Sequence, residues 1–234
     1  MVLVAGDSVD FGVIVNDDEH IASRLQQKTS TRKFVKLGIP GGSLRASLVV
    51  MHGAVKRYRE RIIGLIYIQI ENDFVDGQTP CSIIEQLSAF VQINNIRNRL
   101  FVYQQYVYRT MPEIFRDEAE SYGEYQQLKE ESLALAQSSD FRILNVQDLV
   151  ETYQVDAGSQ LAGAALYIDG VHLSVAVTRL VADTIHTDDP SGVEPFQIIC
   201  RLLMSSAPLR PWHRNRRGSK AMKFPNKIKL LNGR

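Results

Sequence analysis

The sequence predicts an α/β fold, a parallel β-sheet covered by helices on both faces. Three observations carry that expectation. Short β-branched and aromatic runs alternate with helical stretches along most of the chain. The run from Ile62 to Ile70 is almost continuously apolar, too short for a bilayer and suited to a strand buried on both faces. Polar residues capable of chemistry fall where the predicted strands end, and open α/β sheets keep their sites on that carboxyl edge.

Each element follows from local pattern. Met1 to Ala5 reads as a short buried strand. Asp17-Asp18-Glu19 suits a helix N-terminus, and Ile21 and Leu25 give a stripe, so a helix is expected through about Gln27. Lys33 to Leu37 is a second strand. Gly38-Ile39-Pro40-Gly41-Gly42 is a loop, punctuated by a proline and adjacent glycines. Ser43 then caps a helix to about Glu60, with Leu44, Leu48, Val49 and Val55 inward. After the Ile62–Ile70 strand come a helix over 82–93 and a strand from Leu100 to Tyr108. A charged helix or helix pair from Pro112 to Gln137 follows, then a strand from Phe141 to Val146. The last helices run from Leu173 to Ile185 and from Pro195 to Met204.

The chain has 234 residues, 44% hydrophobic and 23% charged, enough for one domain with a full core. No apolar run reaches transmembrane length and no secretory signal is seen, so a cytoplasmic location is favoured for the chain as given; a leader or fused domain lost from the clone stays open. Cys81 and Cys200 read as reduced core thiols, with neither a disulfide framework nor metal spacing. His20, His52, His186 and His213 have no ligand-like spacing either, so no metal or cofactor is expected. The net charge of +1 hides an asymmetry: residues 205–234 carry nine of the 27 Lys and Arg and no Asp or Glu, leaving the rest at −8. The expected organisation is a domain over 1–204 and a basic extension over 205–234. Solvated chain is the default reading of that extension. It can instead fold back or join a neighbouring subunit; nucleic acid and anionic lipid rank low as partners.

Four segments carry the chemistry: Gly6-Asp7-Ser8, Ile39-Pro40-Gly41-Gly42-Ser43, Asn72-Asp73, and Asp169-Gly170-Val171-His172-Leu173-Ser174. Acyl transfer needs a nucleophile, a base, an orienter for the base and donors for an oxyanion. Ser8 can be the nucleophile, His172 the base, and Asp169 the group that fixes the imidazole tautomer. The N–H groups of Ser8 and Gly41 and the Asn72 amide can form the oxyanion hole. Singly, these signals are bland. Gly-Asp-Ser is more often a turn, Asn-Asp often ends a strand, and a lone histidine is usually structural. Gly41 can serve the turn alone, with Gly42 competing for its role. Asp7 reads as structural. Tyr106 or Tyr108 could line a pocket.

In this order the four segments resemble the blocks of the SGNH hydrolase superfamily, the GDSL-type esterases and lipases. The resemblance covers roughly residues 1–187. It implies a flavodoxin-like three-layer α/β/α fold with strand order 2-1-3-4-5, and serine-dependent hydrolysis of esters by Ser8, Asp169 and His172. Ile70 stands where the family usually has glycine, and Asp10 where Thr or Ser is frequent. Three readings follow. The first is an esterase or acylhydrolase for a small or carbohydrate-borne ester. The second is an O-acyltransferase using the same triad. The third is a non-catalytic binding module, motivated by Ile70 and Asp10.

Overall fold

In the computed structural model, residues 1–7, 15–74, 77–105, 122–156 and 172–187 are described. Five strands form one sheet: β1 (Val2–Ala5), β2 (Phe34–Lys36), β3 (Gly64–Gln69), β4 (Asn98–Tyr103) and β5 (Arg142–Asn145). Their order is β2-β1-β3-β4-β5, and every neighbouring pair is parallel. This is the predicted order. Six α-helices are described: α1 (Ile21–Lys28), α2 (Leu44–Tyr58), α3 (Pro80–Ile93), α4 (Tyr122–Ser138), α5 (Val146–Asp156) and α6 (Val175–Thr187).

The two-residue period of the strands splits the core into two layers. Val2 and Val4, with Ile66, Ile68 and Ile70, face α1, α5 and α6, where Leu25, Val150 and Val181 close the packing. Leu3 and Ala5, with Leu65 and Tyr67, face α2, α3 and α4, where Met51, Leu87 and Ala136 meet them. Every residue of β3 is buried, as its apolar run requires.

Several expectations need correction. Asp17–Glu19 form a turn, and α1 begins at Ile21 because His20 caps it: His20 Nδ1 accepts the Ser23 N–H at 3.1 Å. On α2 the buried residues are Leu44, Ser47, Met51 and Ala54, and Leu48 and Val55 pack partly buried against the same core, whereas Val49 is 69% exposed, on the far side of the 3.6-residue period. Ser43 holds the cap position without a side-chain cap bond. Cys81 is an exposed free thiol rather than a core one, since it sits in the first turn of α3 after Thr79 and Pro80. Helix α5 was not foreseen. It follows β5 without a loop, with Asn145 Oδ1 accepting the Gln147 N–H at 3.3 Å. β4 ends at Tyr103, before the predicted Tyr108. Tyr106 and Tyr108, the start of the helix predicted from Pro112, the Pro195–Met204 helix, Cys200 and the basic extension lie outside the described residues.

Candidate active site

The exits of β1, β2 and β3 adjoin at the carboxyl edge. Backbone bonds carry β2 along β1 to that point: Leu37 N–H donates to Val4 O at 2.8 Å, and Ile39 N–H to Gly6 O at 3.2 Å. Ile39 to Gly42 then form a turn closed by Gly42 N–H donating to Ile39 O at 2.8 Å. Proline at its second position and Gly41 at φ +67° make it type II, which needs a left-handed residue third. The two glycines serve different ends. A Cβ on Gly41 would find open space, so Gly41 supplies conformation; a Cβ on Gly42 would stand 2.8 Å from Ile39 Cβ, so Gly42 supplies room. The Gly42 N–H is spent on the turn. The Gly41 N–H makes no hydrogen bond among the described residues.

After β3 the chain makes one 3₁₀ turn, Glu71–Phe74. Asn72 Nδ2 donates to Asp7 Oδ2 at 2.9 Å and to Gly42 O at 3.2 Å. One side chain therefore ties all three loops. The amide has two hydrogens and two acceptors here, and both neighbours accept, so the nitrogen must face them. Among the described residues its buried Oδ1 has no partner. Asp7, expected to bond nearby backbone amides, accepts from the Asn72 side-chain amide. Ile70 is 1% exposed and belongs to the core beside Val2 and Leu100.

Beneath these loops lies a polar group the sequence reading missed. Tyr67, fully buried on β3, donates its hydroxyl to Asp73 Oδ2 at 2.9 Å. Ser47 Oγ donates to Gly6 O at 3.1 Å. Burial pushes the Asp73 carboxyl up to about 7; the bond from Tyr67 and the nearby Leu44 N–H pull it down, and the charge of Asp7 adds to the rise. Burial, followed by the charge of Asp73, pushes the Tyr67 phenol well up. A tyrosine inside a mostly aliphatic strand was the available signal, because a buried phenol needs a partner.

His172 is half-buried, and Leu173 beside it is buried in the core. Ser174 accepts the Val177 N–H at 3.4 Å and begins α6. The far end of α6 borders the strand starts through Ile185 and His186, so its N-terminus, with His172, lies toward the carboxyl edge. Ser8 and Asp169 lie outside the described residues. Among the described residues no three His, Cys, Asp or Glu side chains gather as a metal site, and no helix is long and apolar enough to cross a membrane.

No family model matches the chain, and no curated protein matches it in sequence. Solved structures match it in fold. A lipolytic protein of the G-D-S-L family from Veillonella parvula is 12% identical, over 81% of this chain and 97% of that one, with a TM-score of 0.56. The acetyl xylan esterase AlAXEase is 16% identical, over 80% and 98%, with a TM-score of 0.61. The esterase EstA from Pseudoalteromonas sp., solved inhibited by monoethylphosphonate, is 14% identical, over 80% and 94%, with a TM-score of 0.55. The chain is thus built on the α/β fold of the G-D-S-L lipolytic proteins and the acetylxylan esterases.

Proposed function

We propose that the protein is a serine esterase that cleaves small or carbohydrate-borne carboxylic esters, acetyl esters above all, through an acyl-enzyme. The observation that carries this reading is the Asn72 amide bound to both Asp7 and Gly42, which brings three of the four sequence segments to one point. The fold's likeness to esterase structures supports it.

In this reading Ser8 Oγ bonds to the ester carbonyl carbon while its proton passes to His172. Asp169 holds the imidazole and stabilises its charged form. The carbonyl oxygen becomes an oxyanion, met by the N–H groups of Ser8 and Gly41 and by Asn72. For that, Asn72 exchanges its longer bond, to Gly42 O, for the oxyanion; the bond to the Asp7 carboxylate is the stronger one. Collapse breaks the bond to the alkoxy oxygen, which takes the proton from His172 and leaves as alcohol. Water, deprotonated by His172, then attacks the acyl carbon, and collapse returns the proton to Ser8 and frees the acid.

The test is hydrolysis of p-nitrophenyl acetate by the parent and by Ser8→Ala. The variant should lose at least about 10⁴-fold in kcat; equal rates sink the assignment. Adding sugar acceptors and analysing products separates hydrolysis from acyl transfer: free acetate alone fits the esterase, and acetylated sugar fits an O-acyltransferase.

A further inference from the structure

One buried phenol holds the support of one loop and lies near those of the other two. Tyr67 is 0% exposed, so it does not reach a substrate. Its hydroxyl holds Asp73, the residue after Asn72. Asp73 in turn lies near the N–H of Leu44, which begins α2 just after the Ile39–Gly42 turn. Ser47, one turn into α2, lies near the same phenol and donates to Gly6 O, two residues before Ser8. Filling this layer of the core needs only a ring, and Phe101 on the neighbouring strand, 6.4 Å away between ring centroids, provides one without a hydroxyl. The oxygen on residue 67 therefore serves something other than packing.

We propose that Tyr67 is a positioning residue for the site. Its hydroxyl anchors the turn carrying Asn72 to β3, beside the start of α2 and the Ser47 that holds the β1 exit leading into Ser8. The inference rests on the esterase reading. Catalytic groups on separate loops must be held to a fraction of an ångström, and misplacement by about 1 Å can cost about 100-fold in rate. The phenol is fixed by β3 at the centre of the sheet, so it refers the Asn72 turn to one rigid strand.

The experiment is steady-state kinetics of Tyr67→Phe on p-nitrophenyl acetate, with thermal melting alongside. The expected result is a kcat lower by about tenfold with KM within about twofold, measured on protein that is folded at the assay temperature. A residue that only stabilised the fold would lower the melting temperature and leave the kcat of folded protein unchanged. Ser47→Ala cuts the network from the α2 side and should also lower kcat at constant KM, by about threefold; it stands in if Tyr67→Phe does not fold. If the folded variants match an active parent in kcat, the inference is overturned. If the parent itself equals Ser8→Ala, the esterase reading fails, which is a separate result.

Discussion

The two edges of the sheet bury different things. At the carboxyl edge the chain buries Asp7 and Asp73, 3% and 2% exposed, and links them to Asn72, Tyr67 and loop backbone by hydrogen bonds. At the amino edge it leaves a cavity of about 160 Å³. Its walls are mostly apolar, Val2, Leu25, Phe34, Leu100 and Ile185 among them, with Arg32, Arg99 and His186 on the lining. Among the described residues this open space and the converging polar groups lie at opposite edges. The carboxyl edge has converging polar groups and a carboxyl moved to about 7, the kind of perturbation that burial and a neighbouring charge produce at functional sites. Strand polarity explains the asymmetry: loops leaving parallel strands converge at the carboxyl edge.

Three substitutions sharpen this contrast. Asn72→Ala should have the largest effect. It removes the amide that joins the three loops and would meet the oxyanion, so kcat should fall about 100- to 1,000-fold. A loss under about threefold in esterase assays would separate Asn72 from the chemistry.

Asp73→Asn should act on stability, with a sign set by the raised pKa. The unfolded carboxyl titrates near its ordinary value of 3.8 and the folded one near 7. Between those values the native state holds a proton that the unfolded state has released, so native stability falls as pH rises through this window. The loss levels off about a unit above pH 7, on the order of 4 kcal/mol for the parent. The substituted amide carries no charge, and the Tyr67 phenol can donate to it or accept from it. The variant should melt several degrees higher than the parent at pH 8, with the gap closing toward pH 4. Melting curves across pH 4 to 8 check this; parallel curves would contradict it.

Arg99→Ala should have the smallest effect. Its Nε donates to Ile96 O at 3.1 Å on the amino edge, far along β4 from the carboxyl end. A kcat/KM within about twofold of the parent is expected, as for surface changes away from a site. A large loss would move the chemistry to the amino edge and break the comparison.

The fold was legible because its strands are punctuated. Ile62 to Ile70 reads as a central strand by composition alone, and β3 occupies Gly64–Gln69 within it. Helix α5 was hidden because Val146 continues the apolar β5 and no loop residue separates them; the signal was Asn145 as a cap with Asp148 in the first turn. The acidic run 17–19 misled because a histidine caps α1 instead. At the site, Gly41 and Asn72 were legible as turn chemistry on strand exits. What the sequence did not separate was the work of the two glycines. Only the closed turn reveals that the Gly42 N–H is already spent, while among the described residues the Gly41 N–H is not. Tyr67, Ser47 and Asp73 were illegible as a unit, since they lie on a strand, a helix and a turn and meet only through the fold.

The most direct measurement is mass spectrometry of the full chain after reaction with a fluorophosphonate, followed by peptide mapping. The account predicts one phosphonyl adduct per chain, on the peptide carrying Ser8, and none in Ser8→Ala. No adduct on the parent, or the same adduct on Ser8→Ala, would contradict it.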